Sequence, residues 1–113
     1  MDRIVRLSLL YDFYADLLTD KQKLFYELHY LNDLSLNEIA EEQNISPQAV
    51  WDLIKRTEKI LNKYEQKLNL IEKFEYQKEK ISLISNYIEN NFNSEVSSLL
   101  KNMLQDILQQ DTE

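Results

Sequence analysis

Apolar residues recur at spacings of three and four along most of the chain, which is the pattern of α-helices that bury one face. The first run predicts a helix from Ile4 to Leu18. Thr19 and Gln22 follow in the arrangement of a capping box, so a second helix is expected from about Asp20 to Leu31. The buried face of the first helix is predicted to carry Leu7, Leu10, Tyr14 and Leu17, with Phe13 and Leu18 beside them.

The helical pattern breaks at Asn32-Asp33 and restarts at Ser35, which forms a second capping box with Glu38. The third helix is expected to be short and to end near Gln43. Asn44 follows, and Asn is, after Gly, the residue best suited to the left-handed conformation that ends a helix. The sequence therefore predicts a sharp turn at this point.

A fourth helix is predicted to begin directly after this turn, because Ser46 offers an N-cap and Pro47 suits the first helical position. Ala40 is small enough to let the third and fourth helices cross closely. The wedge between the two helices is expected to consist of Ile39, Ile45, Val50 and Leu53. Residues 35–57 thus predict a helix-turn-helix.

The fourth helix carries a heptad pattern of apolar positions. The pattern predicts one unbroken helix from Pro47 to about Phe74, roughly 40 Å long. Its far end has to bury the seam against the C-terminal helices of the same chain or against a second copy, and the pattern alone leaves both open. The seam consists of Val50, Ile54, Thr57, Leu61, Tyr64, Leu68 and Ile71.

The C-terminal third continues as helix, with a less regular apolar face to about Tyr87 and a turn expected at residues 90–93. Ser94 can cap a last amphipathic helix. Its apolar stripe is Val96, Leu99, Leu100, Met103, Leu104, Ile107 and Leu108. We therefore expect an all-α protein, with a helix-turn-helix domain without a wing at residues 1–64 and a helical extension at 65–113. The extension is expected to pack on the first domain or to mediate dimerisation, most simply of a homodimer.

The composition excludes several classes of function. The chain has no Gly, so the glycine-dependent loops that bind nucleotide phosphates are absent. It has no Cys and a single His, His29, which leaves no thiolate nucleophile, no Cys/His zinc site and no serine triad. We expect no enzyme, no metal and no cofactor. The apolar run near the N-terminus is too short to span a bilayer, so a cytoplasmic protein without membrane insertion is expected.

Residues 35–61 resemble the domain of bacterial sigma factors that reads the −35 promoter element. Over about residues 4–75 the chain resembles the YlxM family. The resemblance implies an all-α bacterial protein whose gene commonly neighbours that of the signal recognition particle GTPase, with a role in regulation or in that targeting pathway. The segments that carry it are Tyr11-Asp-Phe-Tyr, Leu17-Leu-Thr-Asp-Lys-Gln, Tyr30 to Leu36, Glu38-Ile-Ala, Gln48-Ala-Val and Ile54-Lys-Arg-Thr-Glu.

In DNA-reading motifs of this kind, the first exposed residues of the second helix enter the major groove. The corresponding residues here are Pro47, Gln48, Trp51 and Asp52. Gln48 alone among them suits bidentate base contact, and Asp52 would repel phosphates. Sigma-like proteins usually place Arg in this region, so this chain departs from the pattern that reads promoters. Trp51 is expected to be exposed as an interface anchor, or to pack on the C-terminal helix.

A stripe of cations follows along the same helix, opposite its apolar seam. These side chains are expected either to contact phosphates or an acidic partner, or to form an ordinary solvated helix face with Glu58 and Glu65 nearby. The cations are Lys55, Arg56, Lys59 and Lys63.

Two functions remain after these exclusions. The net charge is −7, and residues 65–113 carry nine acidic against five basic residues, which opposes approach to a polyanion. This charge favours an adaptor that binds the protein or the RNA of the signal recognition particle. The helix-turn-helix and the cation stripe favour a DNA-binding transcriptional regulator instead.

Overall fold

The computed structural model describes residues 2–110 of the 113-residue chain, and within that range it contains six α-helices and no strand. The expected all-α fold is confirmed. No helix in the described part is long and apolar enough to cross a membrane. The helices are α1 Arg3–Tyr14, α2 Asp20–Tyr26, α3 Leu36–Gln43, α4 Pro47–Leu68, α5 Leu70–Asn91 and α6 Ser94–Gln110.

The contacts divide the chain into two compact units, Met1–Asn69 and Leu70–Glu113. Unit 1 contains the first four helices and unit 2 contains the last two. The sequence-based boundary between residues 64 and 65 lies inside α4, five residues before this division.

The first helix is shorter than predicted. It ends at Tyr14, and a 3₁₀ turn at Ala15–Leu17 follows. Because a 3₁₀ turn has three residues per turn instead of 3.6, it rotates the following side chains relative to the α-helical face. Leu17, which was expected on the buried face, is 53% exposed, and Leu18 is buried in its place.

The second helix begins with the predicted Thr19–Gln22 capping box and changes character near its end. Glu27–Leu31 form a π-helical turn, in which the Asn32 N–H donates to the carbonyl of Glu27 at 2.9 Å. The stretch is therefore helical over the predicted range. The wider turn positions the rings of His29 and Tyr30 beside α4, as described below.

The helix-turn-helix has the predicted start and stop signals. Ser35 and Glu38 form the capping box of α3, and Asn44 ends the helix in the left-handed region at φ 58°. The side chain of Ser46 accepts the N–H of Ala49 at 3.1 Å, which starts α4 two residues after the turn. The core between the helices consists of Phe25, Ile39, Ala40, Val50 and Ile54.

The prediction of one unbroken helix to Phe74 is wrong. α4 ends at Leu68, because Asn69 adopts the left-handed conformation at φ 55° and its N–H donates to the carbonyl of Glu65 at 2.8 Å. The predicted seam also ends early, since Leu68 is 45% exposed. After Leu61 the buried position is Glu65, whose carboxylate accepts a 2.6 Å hydrogen bond from the hydroxyl of Tyr14.

Unit 2 is a hairpin of α5 and α6, joined through Phe92 and Asn93. The cap of α6 is Asn93, whose side chain accepts the N–H of Val96 at 2.9 Å, so the expected cap Ser94 is the first helical residue instead. The Ser97 hydroxyl donates to the carbonyl of Ile88 at 3.1 Å and ties the start of α6 to the end of α5.

Candidate partner-binding surface

The eight residues predicted to bind a partner all lie on α4, at or near its solvent side. The opposite side of the helix is buried in unit 1 through Val50, Ile54, Thr57 and Leu61. Two of the eight, Trp51 and Lys55, are half-buried. The exposed six are Pro47, Gln48, Asp52, Arg56, Lys59 and Lys63.

Side chains on the first exposed turns of α4 form hydrogen bonds with groups one helical turn away. The amide Nε2 of Gln48 donates to the carboxylate of Asp52 at 2.9 Å, one helical turn away. The backbone carbonyl of Asp52 accepts from Nε of Arg56 at 3.3 Å. The one side chain in this region suited to bidentate base contact is therefore already engaged by a carboxylate.

Trp51 is half-buried, whereas the sequence predicted it exposed or packed on the C-terminal helix. Its ring meets the ring of His29 edge to face, with centroids 6.5 Å apart and an interplanar angle of 86°. Lys55 Nζ lies 4.4 Å from the Trp51 ring centroid, in a cation–π contact. Nδ1 of His29 is 2.9 Å from the carbonyl of Leu34, so the π-helical turn and the following loop hold the imidazole in place.

Glu58 is the centre of a charged cluster on the next turns of α4. It forms ion pairs with Arg3 at 3.1 Å and with Lys55 at 3.3 Å, and it accepts the Tyr30 hydroxyl at 2.9 Å. Burial of Glu58 acts to raise its pKa, but hydrogen bonds from Tyr30 and Lys55 and the charges of Lys55 and Arg3 outweigh it and lower the pKa. Burial, followed by the hydrogen bond to Glu58, raises the pKa of Tyr30 to about 12.

The contacts of Glu58 reduce the number of free cations in the stripe of α4. The charge of Lys55 is neutralised by Glu58 and its ammonium lies over the ring of Trp51, so Lys55 is not a free phosphate ligand. Within residues 2–110, Arg56, Lys59 and Lys63 form no ion pair and are exposed. Three of the four predicted cations thus remain available to a partner.

An open depression of about 540 Å³ lies along this part of α4, lined by Asp52, Lys55, Arg56 and Lys59. A smaller notch of about 240 Å³ lies at the start of the helix, lined by Leu36, Pro47, Gln48 and Trp51. The depression is charged and the notch is mostly apolar. Side by side, they suit a macromolecular surface with both polar and apolar groups better than a small apolar ligand.

The sequence did not predict that Arg3, His29 and Tyr30 contribute to this surface. It also did not predict that Glu58 is the centre of its charged cluster. The i,i+3 spacing of Lys55 and Glu58 is visible in the sequence and could have indicated their pairing. The contacts of Arg3 and Tyr30 with Glu58 span 55 and 28 residues, and no local signal predicts them. In the described part of the chain, no group of three or more His, Asp or Glu could hold a metal ion.

Comparison with known proteins gives the family context of this surface. The profile of the UPF0122 family, described as YlxM / p13 like helix-turn-helix proteins, matches residues 1–108. This description names a helix-turn-helix, the motif that the structure contains at α3 and α4. The match confirms the resemblance to the YlxM family.

Individual relatives agree with the profile. The UPF0122 protein of Halalkalibacterium halodurans is 46% identical over 95 residues, which cover 84% of this chain and 87% of that protein. The UPF0122 protein of Geobacillus kaustophilus is 41% identical over 105 residues, which cover 91% of this chain and 96% of that protein. The UPF0122 protein of Shouchella clausii is 55% identical over 75 residues, covering 66% and 69% of the two chains.

Proposed function

We propose that this chain, which belongs to the UPF0122 family, is a non-enzymatic regulatory adaptor that binds the protein or the RNA of the signal recognition particle through the exposed side of α4. The observation that carries the proposal is the 2.9 Å hydrogen bond from Gln48 to Asp52 at the start of this helix. The resemblance to the YlxM family supplies the targeting pathway. The geometry supplies the reason for preferring an adaptor to a promoter reader.

Base reading uses side-chain donors and acceptors that point to base edges from the start of the recognition helix. In this chain the Gln48 amide is held by a carboxylate, and breaking that contact would leave Asp52 facing the bases and phosphates. A carboxylate there is repelled by the duplex, and the net charge of −7 adds to this repulsion at longer range. Sequence-specific duplex binding is therefore disfavoured at the position where a helix-turn-helix normally provides it.

The same surface suits a partner that carries its own polar and apolar groups. Trp51 forms one wall of the apolar notch beside Leu36 and Pro47. An aromatic side chain held by neighbours is a typical anchor for protein contact, since little conformational entropy is lost on binding. Arg56, Lys59 and Lys63 extend from the notch along α4 and can meet phosphates of an RNA or carboxylates of a protein.

A DNA-binding regulator is the second candidate, and the observation that favours it is the exposed set of Arg56, Lys59 and Lys63. Three phosphate contacts without base reading would give weak duplex binding that falls steeply with salt, with a slope of roughly −0.9 per contact. The two candidates therefore differ in salt dependence and in partner.

The fluorescence of Trp51, the single tryptophan, can separate the two candidates. We would titrate the chain with mixed-sequence duplex DNA and, separately, with signal recognition particle protein and its RNA, each at several salt concentrations. If the chain is the proposed adaptor, the Trp51 fluorescence should change saturably on titration with the particle and should not change with DNA at physiological salt. A salt-steep response to DNA alone would contradict it.

Two variants sharpen this titration. The double change Arg56→Ala and Lys59→Ala is expected to weaken binding of the particle at least about tenfold, if each lost contact is worth close to 1 kcal/mol. Lys73→Ala with Lys78→Ala is the matched control, because it removes the same two charges from exposed positions of α5. Equal weakening by both pairs would mean that net charge, and not the α4 surface, carries the affinity. Asp52→Asn should improve duplex binding under the second candidate alone.

A further inference from the structure

The helical hairpin of unit 2 has one polar and one apolar flank. The ion pair between Lys101 of α6 and Glu89 of α5, at 3.5 Å, marks the polar flank. Leu100, Leu104 and Leu108 are half-buried along the stripe of α6 that faces α5. The second apolar stripe of α6 lies on the flank away from Lys101 and is exposed: Val96 37%, Leu99 62%, Met103 56% and Ile107 60%.

α5 extends this exposed stripe. After Ile71 its buried positions are Ile81 and Ile88, and Glu89 follows on the side of the ion pair. By helical periodicity, Ile84 and Tyr87 lie on the other side, next to the exposed stripe of α6, and they are 46% and 65% exposed. The two helices thus form one continuous apolar surface, here named the hairpin face: Ile84, Tyr87, Val96, Leu99, Met103 and Ile107.

We propose that the hairpin face binds the hairpin face of a second copy of this chain, so that two hairpins form an intermolecular four-helix bundle. The six residues together expose roughly 700 Å² per copy, close to the ~800 Å² that each partner contributes to an interface of standard size. A contiguous apolar surface of this size exceeds what monomeric proteins usually leave in water. Two amphipathic hairpins with equivalent apolar faces are the simplest components of such a bundle.

Charges at the edges of the hairpin face favour a second copy over another partner. Lys80 lies at the end of the face on α5, one helical turn before Ile84 and with its Nζ 5.4 Å from the Tyr76 ring centroid, and Asp106 lies on α6 beside Ile107. In an antiparallel hairpin joined at Phe92 and Asn93, Lys80 and Asp106 lie at similar heights along the helices. A two-fold axis parallel to the helices places α6 of each copy against α5 of the other copy. Lys80 of each copy then faces Asp106 of the other, so this pair occurs twice in the dimer. The face is therefore complementary to itself in charge.

This arrangement differs from the dimer suggested by the heptad pattern of α4. Val50, Ile54, Thr57 and Leu61 are fully buried inside unit 1, so they are not available to another chain. The surface for association lies instead on α5 and α6. None of the residues of the hairpin face belongs to α4.

Sedimentation velocity of the full chain from about 1 to 200 µM tests the proposal. The expected result is a concentration-dependent species of twice 13.6 kDa. Leu99→Lys with Met103→Lys should raise the dissociation constant at least about 100-fold, because it places two charges in the centre of the interface. Ser98→Lys with Gln105→Lys adds the same charges to exposed positions on the polar flank of α6 and should change it by no more than about threefold. Circular dichroism checks that both variants keep their helices.

A charge swap tests the arrangement of the two copies. Lys80→Glu should weaken the dimer about 2- to 5-fold, and adding Asp106→Lys should restore it. A wild-type chain that stays monomeric at the highest concentration overturns the proposal, as does a Leu99→Lys, Met103→Lys variant that dimerises like wild type. Failure of the charge swap to restore affinity overturns the parallel two-fold arrangement.

Discussion

The two units of this chain bury their apolar residues to very different extents. In unit 1 the side chains at the centre of the fold are almost fully enclosed, for example Tyr26, Ile39, Val50 and Ile54 at 0% exposure. In unit 2 the buried apolar residues are Ile71, Ile81 and Ile88 alone within the described residues, although α6 is more strongly amphipathic than α1 and α3 of unit 1. Helical content is therefore a poor guide to how complete a core is.

The difference follows from the number of elements that meet. Four helices and two short turns surround the core of unit 1, so a side chain there can be covered from every direction. Two helices in a hairpin cover each other along one stripe only. Unit 1 also contains hydrogen bonds between distant side-chain and main-chain groups, such as the Tyr26 hydroxyl to the Leu7 carbonyl at 2.7 Å. Such bonds fix the relative positions of its helices.

The largest expected effect comes from truncating the same residue type in each unit. Ile54→Ala should lower the free energy of unfolding by about 3 kcal/mol, because it leaves a cavity beside Phe25 and Val50. Ile84→Ala, at a 46% exposed position, should change it by about 0.5 kcal/mol or less where the chain is monomeric. Urea denaturation followed by circular dichroism at low protein concentration measures both. Equal losses would remove the contrast between the units.

A smaller effect is expected from the buried polar contact between α1 and α4. Tyr14→Phe removes the 2.6 Å hydrogen bond to Glu65 and keeps the ring, so stability should fall by about 1–2 kcal/mol. Tyr76→Phe is the control in unit 2, since the Tyr76 side chain is 63% exposed and its hydroxyl can bond to water. Thermal and denaturant unfolding of both variants would test whether polar contacts between helices stabilise unit 1 selectively.

The smallest expected effect is the pH dependence contributed by Glu58. Its pKa is lowered in the folded chain from the reference value of 4.5, so its contribution to stability is fully present above that value. The contribution is lost as the pH falls through the lowered folded-state pKa. Glu58→Gln should therefore flatten the decrease in unfolding free energy below about pH 4.5, and Lys55→Met should do so partly. An unchanged acid slope in Glu58→Gln would mean that the cluster does not link α1, the π-helical turn and α4 energetically.

Local signals in the sequence predicted much of unit 1 correctly. The capping boxes at Thr19 and Ser35, the left-handed Asn44 and the cap at Ser46 all occur as expected. Each depends on atoms within three or four residues, and a single side chain can therefore specify it. The position of the candidate surface on α4 followed from the same signals.

Features that depend on counting across a longer stretch were predicted less well. The predicted heptad pattern extends past Asn69 because Leu68 and Ile71 keep the heptad spacing, although α4 ends between these two residues. Leu17 and Leu18 exchanged roles for a similar reason, since the 3₁₀ turn rotates the chain within three residues. An apolar periodicity predicts buried positions correctly only while the helix geometry stays constant. It does not indicate where a helix ends or where a 3₁₀ turn begins.

The sequence by itself determined the helical class, the starts of α2, α3 and α4, the end of α3 and the helix-turn-helix, because backbone caps and amphipathic periods are local. The tertiary structure decided which polar side chains are free to act. It pairs Lys55 and Arg3 with Glu58, holds Trp51 against His29 and buries Glu65 beneath Tyr14. It also decided that the apolar stripe of α6 stays exposed while the seam of α4 is covered. Whether an amphipathic face is satisfied depends on what packs against it, and no spacing along one helix contains that information.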